Sequence, residues 1–113
     1  MIFAYTVGTL AKDPVLGESN NGTKFCRFLL IIDLPKSASG EKQTSILPVI
    51  CWGKIAENVA KFKKRGHVVF VQGALNKKTF NKENEKIISY ELNANNVQFL
   101  NLKNNENNND TKE

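Results

Sequence analysis

A chain of 113 residues, 41% apolar and 24% charged, is long enough for one packed core and too short for two. Its longest apolar run falls far short of the ~20 residues a membrane-spanning helix needs. Met1-Ile2-Phe3-Ala4-Tyr5 lacks the basic start and apolar stretch of an export signal, so a cytoplasmic location is expected. The formal net charge of +5 is unevenly placed: residues 54–86 hold nine basic and three acidic side chains, while the segments on either side nearly balance. That clustering is the footprint of a polyanion binder, although a solvated helix face plus a charged hairpin would also produce it.

The residue inventory argues against an enzyme and implies no cofactor. Two cysteines, Cys26 and Cys51, and one histidine, His67, cannot supply the close-spaced ligand pairs of a zinc site. Both cysteines lie in apolar stretches and read as packed, reduced thiols. No Gly-rich phosphate loop is present, Asp13-Pro14 is turn chemistry, and His67 beside Gly66 reads as a surface residue.

In chain order, Met1 to Leu10 carries Ile2, Phe3, Tyr5, Thr6, Val7 and Thr9, a composition that suits a strand. Gly8 within it suggests a bulge or a close backbone approach. Asn21-Gly22 is a hairpin turn signal before a second strand, Thr23 to Ile32, whose run Phe28–Ile32 is apolar on both faces. Leu34 to Lys42 reads as a mobile loop carrying Lys36 and Lys42. Thr44 to Trp52 is a third strand, in which Pro48 requires an edge or a bulge. Lys54 to Arg65 is the one helical pattern, with Ile55, Val59 and Phe62 on one face, Glu57 in the first turn, Lys63, Lys64 and Arg65 in the last, and Gly66 as the C′ residue.

His67 to Phe80 reads as a fourth strand, with Val69, Val71, Gly73 and Leu75 towards the core and Phe70, Ala74, Asn76, Lys78 and Phe80 opposite. Asn81 to Glu85 is a polar tip. Lys86 to Leu100 is a fifth strand, in which Ile88, Tyr90, Leu92 and Ala94 alternate with Ser89, Glu91 and Asn93. Residues 1–102 form the expected domain and 103–113 an Asn-rich disordered tail. An all-β chain of five strands with a single helix between strands three and four matches the five-stranded Greek-key OB-fold barrel. Its interior should be filled by side chains, which leaves the outer face and loops for binding. Such barrels bind oligonucleotides or oligosaccharides, so the fold alone does not assign a function.

A single nucleic-acid strand offers anionic phosphates and exposed base faces, and a binder needs cations interleaved with aromatic platforms. Trp52 stands two residues before Lys54, and Phe80 two after Lys78, with Lys77 and Lys82 flanking. Both rings sit at strand ends beside charges, whereas Phe28, Phe62 and Phe70 read as packing residues. No dense set of base-edge readers is apparent, so sequence-independent binding is expected.

Val7-Gly8-Thr9-Leu10-Ala11-Lys12-Asp13-Pro14, the Asn21-Gly22 hairpin, Trp52-Gly53-Lys54-Ile55-Ala56-Glu57, Lys64-Arg65-Gly66 and Val69–Leu75, in that order and over about residues 1–100, carry a resemblance to the bacterial single-stranded DNA-binding proteins. It implies non-catalytic coating of single-stranded DNA at the nucleoid during replication, recombination or repair. It puts stacking rings at Trp52 and Phe80 and backbone-tracking cations at Lys54, Arg65 and Lys78. Lys77, Lys82 and, on the Pro35 loop, Lys36 join them as candidate contacts. Two further stacking positions of the family fall at Ile46 and near Pro35 or Lys36, which implies weaker binding or a shorter site. The resemblance also implies a homo-oligomer, a tetramer ahead of a dimer, although Leu47 and Pro48 depart from the family near that assembly surface. Family tails usually end in an acidic tip with a terminal hydrophobic residue; Asn109-Asp110-Thr111-Lys112-Glu113 does not, so tail-mediated recruitment of replication proteins is not expected. The alternatives are a primosome-type accessory protein bridging single-stranded DNA and a helicase, a module docking an acidic protein, and an RNA-binding OB domain.

Overall fold

The computed structural model describes residues 1–100, which form β1 (Ile2–Leu10), β2 (Val15–Glu18), β3 (Lys24–Leu34), β4 (Gln43–Trp52), α1 (Gly53–Phe62), β5 (Val68–Lys82) and β6 (Glu85–Leu100). The sheet order is β1-β5-β6-β4-β3-β2, and β1 also pairs with β3 through Thr9↔Ile31 and Leu10↔Leu30, which closes the ring. The single helix follows β4 as expected. β4 and β6 run parallel over Val49–Cys51, and the other pairings are antiparallel.

Alternation builds the interior. Cys26, Phe28 and Leu30 of β3 meet Val49 and Cys51 of β4, Val69 and Val71 of β5, Leu92 and Ala94 of β6 and Leu10 of β1, and α1 adds Ala56 and Val59. The two cysteines are free, fully buried and directly opposite each other in the β3–β4 register. No polar or charged side chain among the described residues is buried. A Cβ on Gly8 would press on Ile32 and Leu30, the close approach expected at that position. Pro48 faces Leu29 of β3 one residue before the β4–β6 pairing begins, so its missing N–H falls where β4 is locally an edge.

Several expectations need correction. A sixth strand, β2, pairs Val15–Glu18 with Lys24–Arg27 across the Asn21-Gly22 turn, helped by a Lys24–Glu18 ion pair at 3.1 Å. The helix starts at Gly53 (φ +67) and ends at Phe62, so Glu57 is outside its first turn and only Lys61 lies in its last. Lys63, Lys64 and Arg65 instead occupy the turn beyond it. That turn is tied to the end of β1 by bonds from Gly66 N–H to the Leu10 carbonyl and from Leu10 N–H to the His67 carbonyl, each 2.9 Å.

Phe62, assigned to packing by the helical period, is 53% exposed because the helix stops there. On β6 the inward set ends at Leu92: Ile88 and Tyr90 are exposed, since β5 and β6 run on past the barrel as a two-stranded arm. The arm closes on a two-residue turn with Glu83 at φ 52 and Asn84 at φ 67, narrower than the expected tip. The expected tail lies outside the described residues.

Candidate nucleic-acid interface

The site begins with Phe25. Its β3 position faces Gly17 of β2 on one side and Trp52 of β4 on the other. With no side chain at Gly17, the Phe25 ring lies directly over β2, and a Cβ there would strike it. On the other side the Phe25 and Trp52 rings stand 5.4 Å apart at 53°. The indole, 41% exposed, is therefore braced on one side and open on the other. The β2–β3 turn lines the open depression beside it with Ser19, Asn20, Asn21 and Thr23. Within that turn the Ser19 N–H bonds to the Thr23 carbonyl (2.8 Å) and the Thr23 N–H to Asn21 Oδ1 (3.2 Å).

From Phe25 the face continues through charge. The Arg27 guanidinium lies 5.4 Å from the Phe25 ring centre and 3.5 Å from a Glu91 carboxylate oxygen on β6. The other Glu91 oxygen is 3.0 Å from Lys78 Nζ on β5. Trp52, Phe25, Arg27, Glu91 and Lys78 thus form one connected network across four strands. The Glu91 side chain is 13% exposed, so it holds both cations at the surface of the sheet while offsetting part of their charge.

Two residues beyond Lys78 on the same side of β5, Phe80 is 51% exposed on the arm, and Lys82 follows at its tip opposite Glu85. Lys77 alternates onto the other side, opposite Tyr90. The structure therefore brings Trp52 and Lys78 into one network, extends that face to Phe80 and Lys82, and separates Lys77 from it. Lys54 does not share a strand face with Trp52, because the chain turns into α1 at Gly53. Lys36 stands exposed on the loop between β3 and β4. Arg65 is exposed on the turn after α1, which Asp13 anchors by accepting a 2.8 Å bond from the Arg65 N–H.

Phe25, Arg27 and Glu91 were not anticipated. The Phe25-x-Arg27 spacing was a signal for the first two, but Glu91 joins them only through the closed sheet.

A family model described as the single-strand binding protein family matches residues 3–100. The chain belongs to that family. Single-stranded DNA-binding protein A of Bacillus subtilis is 35% identical over 100 residues, 87% of this chain and 58% of that protein. Single-stranded DNA-binding protein 1 of Clostridium acetobutylicum is 34% identical over 101 residues, covering 86% of this chain and 91% of that protein. Against the Bacillus subtilis protein and its Halalkalibacterium halodurans counterpart, the chain spans less than two thirds of the relative's length, 58% and 57%. A crystal structure of the small single-stranded DNA-binding protein from Streptomyces coelicolor superposes with a TM-score of 0.75 at 24% identity, covering 88% of this chain and 94% of that one. That likeness supports the expected OB-fold. Among the described residues no helix is long and apolar enough to cross a membrane, and no cluster of side chains is arranged to hold a metal.

Proposed function

We propose that this chain binds and coats single-stranded DNA without reading its sequence, acting in the cytoplasm during replication, recombination or repair. The observation that carries the reading is the half-exposed Trp52 ring, braced by Phe25 and continuous with Arg27 and Lys78. Base faces are available to such a ring only when the strand is unpaired, so stacking favours single strands over duplex. Binding alone accomplishes protection and the removal of secondary structure, and the proposal contains no catalytic step.

Trp52 is the only tryptophan, so its fluorescence reports one site. Titration with oligo-dT is expected to quench it, with an affinity that falls steeply with salt by about 0.7 log units per log unit of salt for each phosphate neutralised. Absence of quenching, or equal quenching by duplex DNA, would refute the proposal. Stronger quenching by oligo-rU than by oligo-dT would move the assignment to RNA. In the same titration, Glu91→Gln is expected to tighten binding and steepen the salt slope by ~0.7 for each of Arg27 and Lys78 that gains a phosphate. Unchanged affinity would mean that neither cation meets the strand.

The proposal includes a homo-oligomer, with a tetramer preferred. From Ile2 to Gly8, β1 is paired with β5 on one edge, and its pairing with β3 starts only at Thr9. Phe3, Tyr5 and Val7 are exposed along it, and Tyr5 leans on Phe70 with ring centres 6.2 Å apart. The arm offers a second apolar surface at Ile88 and Tyr90, on the face opposite Phe80. Two separate self-complementary surfaces are what a tetramer of two-fold symmetry requires. Sedimentation equilibrium of the full chain tests this, and a monomer at micromolar concentration would refute it.

A further inference from the structure

At the far end of α1 from Trp52 a second group of rings and cations stands outside the network described above. Phe62 closes the helix, and Phe99 lies near the end of β6, with ring centres 6.5 Å apart at 58°. They are 53% and 37% exposed. Lys61 Nζ lies 5.2 Å from the Phe62 ring centre and Lys63 Nζ 4.3 Å from that of Phe99. Lys64 and Arg65 follow on the same turn. None of these four cations is in an ion pair among the described residues, and Asp13, the nearby carboxylate, accepts from the Arg65 backbone. His67, whose Nδ1 accepts from the Lys64 N–H at 3.0 Å, is held below its usual pKa by partial desolvation and then by the charges of Lys63 and Lys64. Beside Phe99, between α1 and β6, runs a groove of about 190 Å³ walled by Ile55, Val59 and Val97, with Asn58 as its polar member.

We propose that this end of the barrel is a second contact for the same single strand, with one base against the Phe62–Phe99 pair and its phosphates on Lys61, Lys63 and Lys64. The occupant follows from the chemistry: cations with no ion pair among the described residues call for a polyanion, and rings left open beside an apolar groove call for a planar apolar face, which a single strand supplies together. The inference rests on the single-strand reading of the chain. The ten residues of α1 separate Trp52 from Phe62 by about 15 Å. That is at most four or five nucleotides at the ~3.4 Å per-strand rise of a stacked duplex, and fewer for an extended, unstacked strand. Lys54 and Lys61, seven apart on the exposed stripe of the helix, lie between the two ring sites; Glu57 sits on the same stripe and offsets one of those charges. A strand leaving Trp52 along α1 therefore meets cations on the way to Phe62.

The test compares an oligo-dT of about 3 nucleotides, too short to bridge the ~15 Å between the two ring sites, with one several times longer, using wild type, Phe62→Ala and Phe62→Tyr. Phe62→Ala is expected to weaken the long oligomer by roughly fivefold or more, as for one lost stacking contact. The short oligomer, read by Trp52 quenching, and the melting temperature should stay unchanged, and Phe62→Tyr should bind like wild type. Iododeoxyuridine placed along the long oligomer should photo-crosslink to Phe62 or Phe99. Unchanged long-oligomer affinity in Phe62→Ala, an equal loss for both lengths, or crosslinks confined to the Trp52 face would overturn the proposal while leaving the Trp52 site in place. Absence of Trp52 quenching in wild type would instead remove the reading on which it rests, and crosslinks at Phe62 would then keep this site alone.

Discussion

Replacing Trp52 with alanine is expected to weaken binding of a labelled oligo-dT by ~1–3 kcal/mol, roughly a factor of 5 to 150. The loss of stability should be small, because the indole is 41% exposed and its described ring neighbour is Phe25, itself near the surface. Trp52→Phe should retain most of the affinity, since a smaller ring in the same place still stacks. Fluorescence anisotropy of the oligomer reads the affinity, and a thermal melt of each variant reads the fold. A melting temperature that collapses with Trp52→Ala would make the ring a structural element, and an unchanged affinity would remove it from the interface.

The largest expected effect on stability is at Gly73. The β5–β6 register shifts between Gln72 and Gly73, and there the β6 backbone crosses close over the glycine. A Cβ at this position would collide with the Asn93 carbonyl oxygen and carbon and the Ala94 Cα, all backbone atoms that no side-chain rotation can move. Gly73→Ala should therefore cost about 3 kcal/mol or more, at or beyond the upper end of overpacking effects. That is a large share of the ~5–15 kcal/mol that holds a domain of this size together. The corresponding fall in melting temperature is roughly 10–20 °C. Gly8→Ala is the comparison: its Cβ would meet the tip of Ile32 at 2.8 Å, which can swing aside, and Leu30 Cβ and the Ile31 carbonyl oxygen at 3.0 and 3.1 Å, looser than the backbone contacts at Gly73, so its loss should be smaller. A Gly73→Ala variant melting within 3 °C of wild type, on the order of the shift from under 1 kcal/mol, would show that β6 can yield at the bulge.

What was legible in the chain was whatever local period and turn chemistry control. Val69, Val71 and Gly73 alternate inward on β5, Asn21-Gly22 makes its turn, and Ala56 and Val59 face the core from α1. Period reports direction rather than depth. Phe62 has the same phase as Val59 but stands where the helix has run out of barrel to cover it, and Ile88 and Tyr90 continue a valid alternation on an arm with no interior. Val15–Glu18 is too short to show a period and becomes a strand only because Lys24–Arg27 lies beside it. Phe25, Arg27 and Glu91 escaped for a related reason: 64 positions separate Arg27 from Glu91, and only ring closure makes them neighbours. Trp52 and Phe80 could be proposed from the chain because an aromatic next to a lysine at a strand end is a local pattern, whereas the carboxylate beside Lys78 is not.

The facing sulfhydryls of Cys26 and Cys51 have a practical consequence. They sit in the wall that carries Phe25, Arg27 and Trp52 on its outside, and a maleimide can reach neither until β3 and β4 part. Alkylation of the native chain is thus a clock for the breathing of that wall. Cargo stretched across the outside would slow the clock without touching sulfur.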